Sequence, residues 1–130
     1  MTALSSFAEV KVLDLLFRNT AYTAPNAYLG LFTSDPTDSA SGTEVSGNNY
    51  ARVQIDDKMA SAASGAISSN ANITFPAASG GDFGTITHIG IFDASTSGNL
   101  LAHGALTASK IISDGDTFQI NSGSLTITID

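Results

Sequence analysis

From Thr85 to Lys110 the chain alternates in character every second residue, breaks, and then resumes. Ile86, His88, Gly90 and Phe92 interleave with Thr87, Ile89, Ile91 and Asp93, the period-two pattern of an extended segment with two distinct faces. Asp93-Ala-Ser-Thr-Ser-Gly-Asn99 follows, rich in residues that favour tight turns and positive φ. Leu100, Leu101, Ala102, Ala105 and Leu106 then form the return. The stretch predicts a strand, a turn and an antiparallel strand.

Shorter extended segments surround this hairpin. The stretch from Asn26 to Thr33 carries AYLGLFT, in which Gly30 marks a bulge or a close backbone approach. YARVQI from Tyr50 to Ile55 and ANITF from Ala71 to Phe75 are two more, the second stopped by Pro76, which cannot donate to a ladder. After Ile111 and Ile112, Asp114-Gly115-Asp116 is a hairpin-type turn signal, and segments at 118–120 and 125–129 close the chain. A long polar loop from Ser34 to Asn49 encloses a short Thr43-Glu44-Val45 piece, and the small polar run from Ser61 to Asn70 is expected to be a surface loop. Seven to eight short strands separated by turn signals predict a mainly β chain, a compact antiparallel β-sandwich or small barrel.

One segment breaks the β pattern. Residues from about Thr2 to Arg18 have the spacing of an N-terminal α-helix. Ser6-Phe7-Ala8-Glu9 fits a capping box, Leu4, Ala8, Val12, Leu15 and Leu16 form an apolar stripe, and Phe7, Val10 and Phe17 widen it. Arg18 complements the helix dipole, and Asn19 suits a left-handed stop. The preferred reading is a helix packed on the chain's own sheet, because packing of an amphipathic face supplies most helical stability. The breadth of the apolar face keeps a second reading open, an arm that docks on another subunit. The whole chain, residues 1–130, is expected to be a single β domain, with the helix over about 2–18 and the β core over about 26–129.

Composition narrows the function. Charged residues make up only 13% of the 130 residues, about half the usual share, so Ser, Thr, Asn and Gly must cover much of the surface. The net charge is −7, from 12 acidic and 5 basic residues. Lys11, Arg18, Arg52, Lys58 and Lys110 are scattered, which argues against a nucleic-acid partner, since binding DNA takes several phosphate contacts from one basic face. The absence of cysteine removes disulfides, cysteine-based zinc sites and thiol nucleophiles. No window reaches the about 18 continuous apolar residues of a membrane span. No basic region precedes the first apolar stretch, which Glu9, Lys11 and Asp14 interrupt, so no secretory signal is expected.

Candidate chemistry is thin. His88 and His103 lie on the two strands of the central hairpin, where they could face each other, and Asp93 with a nearby Ser completes a nominal triad. Serine is so abundant here that any histidine would find one, and no nucleophile elbow surrounds any of them. The same His and Asp residues could be drawn as a metal site, but a polar cross-strand pair or a subunit contact is the preferred role for the histidines. Asp35 with Asp38, and Asp114 with Asp116, pair carboxylates in loops without the spaced pattern of a calcium loop, and turn formation explains them. Ser79-Gly80-Gly81, Gly90 and Gly98 form neither a P-loop nor a dinucleotide fingerprint. No catalytic residue, cofactor or metal is expected, and the chain is expected not to be an enzyme.

Several segments, in order and over nearly the whole chain, resemble a family of small structural proteins of tailed bacteriophages, commonly labelled tail fibre or minor virion proteins. They are AYTAPNAYLGLFTSDPTDS from Ala21, GTEVSGNNYAR from Gly42, NITFPAASG from Asn72, FGTITHIGIFDASTSGNLLAHGALTASK from Phe83 and GDTFQINSGSLTITID from Gly115. GIFDASTSGNLLAHGAL is also similar to a strand-turn-strand near the start of phage tail-collar fibres. The resemblance implies a non-enzymatic virion structural protein, made in the host cytoplasm, whose partners are other virion proteins. No fixed-period repeat or heptad run provides a shaft. Small size, low charge density, net acidity and the missing shaft favour a capsid decoration (cement) protein on the major capsid protein, which is the preferred reading, while the family label favours the alternative, a tail, baseplate or tail-fibre component. A homo-oligomer is expected, with a trimer as the form considered. A receptor- or carbohydrate-binding β-sandwich is the remaining alternative. Leu4, Phe7, Tyr22 and Tyr28 are the candidate protein-contact residues, large apolar side chains outside the clear alternation.

Overall fold

The computed structural model describes residues 2–129. Two long antiparallel strands organise the chain: β6 (Gly84–Phe92) and β7 (Leu100–Ile112). β6 is flanked on its other side by β2 (Tyr28–Phe32) and then β3 (Val53–Gln54). Beyond β7 lie β1 (Thr2–Leu4), β9 (Thr126–Thr128) and β4 (Ala66–Ser68). Together they make a seven-stranded sheet in the order β3-β2-β6-β7-β1-β9-β4, and β5 (Ile73–Thr74) with β8 (Gln119–Ile120) forms a second, two-stranded sheet. The pairings are antiparallel except β1 beside β9. Both sheets have free edges, so the mainly β architecture is open and the barrel alternative does not hold.

The alternation along β6 changes phase at the register shift between Ile86 and His88, so Ile86 lies in the core with Ile89 and Ile91 instead of sharing a face with His88, Gly90 and Phe92. Ile86, Ile89 and Ile91 enter the main core with Leu29 and Leu31 of β2, Ile73 and Phe75 from the small sheet, and Phe118 and Leu125. Burying side chains of this size contributes about 1.5–3 kcal/mol each relative to exposure. On the other face of β2 and β6, Phe32 and Phe92 stack at 5.9 Å between centroids and form a small second cluster with Leu100. Gly30 and Gly90 are cross-strand partners. A Cβ on Gly30 would lie 2.7 Å from a Glu44 carboxylate oxygen, and one on Gly90 2.8 Å from the Phe32 ring. The close approach read at Gly30 is therefore what lets polar and aromatic groups lie against this face.

The N-terminus differs from the sequence expectation in detail. Thr2–Leu4 is strand, paired with Ala102–Gly104, and the helix α1 spans Ser6–Phe17. Its N-cap is Ser5 instead of Ser6: the Ser5 hydroxyl accepts from the Ala8 N–H at 3.2 Å. Ser5 is fully buried because it also ties α1 to β7, donating its N–H to the Leu101 carbonyl at 2.9 Å and its hydroxyl to the Leu100 carbonyl. The helix ends as expected, with Asn19 left-handed at φ 52° and the Thr20 N–H returning to the Asp14 carbonyl. The run from Ser61 to Asn70 is also more than a loop, since Ala66–Ser68 within it forms the edge strand β4 against β9.

Candidate functional site

Helix α1 carries the largest uncovered apolar surface. Val10, Leu13, Leu15, Leu16 and Phe17 are 54%, 56%, 49%, 65% and 76% exposed, and Ala8 is the only helical residue fully buried. The reading that α1 packs its apolar face on the chain's own core is thus met only in its first turns. At 100° per residue, Val10, Leu13 and Phe17 share one outward side, Ala8, Val12 and Leu15 turn toward the body, and Leu16 lies on the flank between them. On the body side lies a hollow of about 240 Å³, walled by Val12, Leu15, Tyr22, Pro25 and Leu101. Beside it, Phe7 meets Tyr22 edge-to-face at 6.3 Å, and the Lys11 ammonium sits 5.3 Å and 5.9 Å from the two ring centres. Burial raises the Tyr22 phenol above its ordinary pKa, and the negative charge of Asp93 adds to the shift.

A second open feature runs along β7. Past Gly104 the side of β7 away from β6 has no strand partner among the described residues. A groove of about 670 Å³ follows that edge toward Phe118, Ile120 and Leu125. In the same stretch the β6–β7 register jumps from His88↔Ala105 to Ile86↔Lys110. Four β7 residues, 106–109, therefore face Thr87 alone. A bulge and an edge lysine are devices that discourage strands from adding to a sheet, so this groove is guarded against pairing.

The most elaborate polar arrangement is closed within the chain and partly buried. Arg52 grips Glu44 with two hydrogen bonds, from Nε and Nη2, each 2.8 Å, and its Nη1 donates to the carbonyls of Ala94 and Ser97. Its guanidinium lies 3.6 Å above the Phe92 ring. The Tyr50 hydroxyl donates to Glu44 at 2.6 Å and accepts the Leu31 N–H at 3.0 Å. Burial, followed by the hydrogen bond to Glu44, pushes the Tyr50 phenol far above its ordinary value, so it remains a donor. This network fastens the turn after β6 to the polar loop. It was not legible in a sequence where Arg52 stands as one of five scattered cations; Gly30 was its only trace.

The remaining sequence candidates are dispersed. His88 pairs with Ala105 across the hairpin and His103 with Gly90, so the histidines are not direct partners. His88 bonds Thr87 through Nδ1 at 2.8 Å, His103 bonds Asp38 through Nε2 at 2.7 Å, and Asp93 accepts from Asn99 twice. The nominal triad is three separate pairs. Asp35 accepts the Thr37 N–H, and Asp116 accepts the Ser113 N–H beside Gly115 at φ 89°, so both carboxylates act in turns. Of the contact candidates, Phe7 and Tyr22 are brought together. Leu4 is partly buried against the main core from β1, and Tyr28 is partly buried on β2 opposite Phe92.

No curated protein matches the chain. The family model described as Gp80, podophage GP4 fiber I protein gp80, matches residues 3–128. The resemblance to phage fibre and minor virion proteins is met over nearly the full length, and the chain belongs to this family of phage virion structural proteins.

Proposed function

We propose that the chain is a non-enzymatic subunit of the phage tail or fibre that works by burying apolar surface on neighbouring virion proteins. The observation that carries this reading is α1, which presents large apolar side chains outward from a body whose buried polar side-chain atoms, among the described residues, all have partners. Contiguous apolar patches of more than a few hundred Å² are uncommon on monomers and mark contact sites. A stable contact takes about 800 Å² from each partner, and α1 together with Phe7, Tyr22 and Pro25 offers a continuous start to one. The family description supports placement in a fibre.

Capsid decoration is the second reading, with the major capsid protein as partner. The specific observation in its favour is the lack of a repeat or heptad run from which a shaft could be built. Quantitative mass spectrometry of purified virions with antibody-labelled electron microscopy separates the two. A few to a few dozen copies confined to the tail support the fibre reading, and hundreds of copies spread over the head replace it with decoration. Absence from virions overturns both.

A further inference from the structure

We infer that the groove beside the free edge of β7 is a binding site for a carboxylate-bearing saccharide, held by the Lys110 ammonium and the Asn121 amide. The inference goes beyond the subunit reading and does not rest on it. The groove follows β7 from Ala105 to Lys110, whereas α1 is tied to the start of the same strand at Leu100 and Leu101.

The first observation behind it is charge. The chain has 12 acidic residues and a net charge of −7, yet no acidic residue among those described lines this groove of about 670 Å³, and its one charged side chain is Lys110. The other cations are engaged. Arg18 pairs with Asp14, Arg52 with Glu44 and Lys58 with Asp57, and Lys11 lies over the rings of Phe7 and Tyr22. Among the described residues, Lys110 has neither an ion pair nor an aromatic face. A strongly acidic chain that keeps its carboxylates out of a groove, and leaves a cation there, presents a local site for an anion.

The second is the direction of the hydrogen bonds. The Thr74 hydroxyl donates to Gln119 Oε1 at 2.9 Å, and Gln119 Nε2 donates to Asn121 Oδ1 at 3.0 Å. This relay across β5 and β8 occupies the Asn121 oxygen and fixes its amide, while Asn121 Nδ2 has no partner among the described residues. Both Lys110 and Asn121 line the groove, and both offer it donors. The matching ligand is rich in acceptors. Thr107, Thr117 and Ser124, exposed along the same walls, add hydroxyls that donate as well as accept, as the hydroxyls of a sugar require.

The third is surface and shape. Ile89, Phe118 and Leu125 are buried residues of the groove wall, with Leu106 and Ile120 half-buried beside them. Apolar patches among polar groups suit a sugar ring, which has C–H faces and a hydroxyl rim. The volume lies within the about 300–1,000 Å³ of small-ligand clefts, far more than a lone anion fills. An extended peptide is the competing occupant of a strand edge, and the bulge at 106–109 with Lys110 discourages it.

The test is an NMR titration of the isotope-labelled full-length chain with tetragalacturonate, an oligomannuronate and an oligosialic acid, each beside its neutral methyl ester. The expected result is that at least one acidic sugar shifts the amides of Thr107, Lys110 and Asn121. Its affinity falls roughly ten-fold or more on esterification and in Lys110→Gln, and about three-fold in Asn121→Ala. Lys110→Arg retains most of it. Lys58→Gln removes the same charge from the Asp57 pair and leaves binding unchanged, and thermal melts verify that each variant is folded. Silence with all three acidic sugars overturns the inference, as does equal binding of the neutral esters or binding that survives Lys110→Gln. If oligoglutamate shifts the same amides as strongly, the groove reads an anionic peptide and the saccharide is ruled out. None of these outcomes touches the subunit reading, which virion copy number decides.

Discussion

Around Arg52, charged and polar groups in a loop-rich region find their partners inside the chain: one guanidinium holds a carboxylate, two carbonyls and an aromatic face. Along α1, a regular element with good capping leaves Val10, Leu13, Leu16 and Phe17 facing solvent. The irregular region is the self-sufficient one, and the regular element is incomplete. Burial of a charge is tolerated only when it is paired, so the Arg52 network had to close within the monomer. An uncovered apolar helix costs a monomer far less and can be completed later by another chain. The first region belongs to folding and the second to assembly.

That division predicts effects of different kind and size. Arg52→Ala should be the most damaging, because it strands Glu44, whose side chain is only 23% exposed, and frees two carbonyls. We expect a loss of about 3 kcal/mol in urea unfolding, with Arg52→Lys recovering only part of it, since an ammonium cannot reproduce the fork. A loss under about 1 kcal/mol would mean the network is closed by water and the contrast with α1 is weaker than drawn.

Ser5→Ala tests the joint between the two regions. It removes the cap of α1 and its buried bond to Leu100, and should lower stability by about 1–2 kcal/mol. Circular dichroism should show the helical signal melting before the β signal, because the two-stranded and seven-stranded sheets do not depend on it.

Phe17→Ala should shift monomer stability by no more than about 0.5 kcal/mol, as for other exposed positions, despite removing the most exposed large apolar side chain. A large loss in dilute urea titrations would place Phe17 in the monomer's own packing and erase the comparison.

The smallest effect is electrostatic. The Asp56 carboxylate accepts the Ala27 N–H at 2.9 Å, and that backbone bond holds its pKa below the ordinary 3.8, with weaker help from Gln54 and Lys58 against a small desolvation cost. A depressed carboxylate stabilises the fold above its unfolded pKa, and the contribution is lost as pH falls through the folded one. Asp56→Asn keeps an acceptor but not the charge. It should be slightly less stable than the parent at neutral pH and equal to it in strong acid, as read from paired thermal melts.

How much of this could be read from the residues follows the same division. The hairpin from Thr85 to Lys110 and the C-terminal end of α1 at Arg18 and Asn19 were legible because each depends on local periodicity or local capping. β1 and β4 were not. Three residues are too few to show a period, and Thr2–Leu4 and Ala66–Ser68 are strands only because β7 and β9 lie beside them. The offset of His88 from His103 depends on the hairpin register, and the bulge at 106–109 carries no period in the sequence. The Arg52 network joins residues 8 to 45 positions apart, a closure only the folded chain displays. The breadth of the apolar face on α1 was legible, but what covers it was not, because the same pattern describes a helix buried in its own core and one buried in a neighbour.

Amide hydrogen exchange of the full-length chain, free in dilute solution and within purified virions, tests the central claim most directly, since it reads both regions in one experiment. The account predicts that the amides of Leu29, Leu31, Ile89 and Ile91 in β2 and β6 stay protected in both states, while those of Leu13 to Phe17 exchange quickly in the free chain and slowly in the virion. Protection of Leu13 to Phe17 that is equally strong in the dilute monomer would show that α1 is completed by its own chain, and would contradict the account.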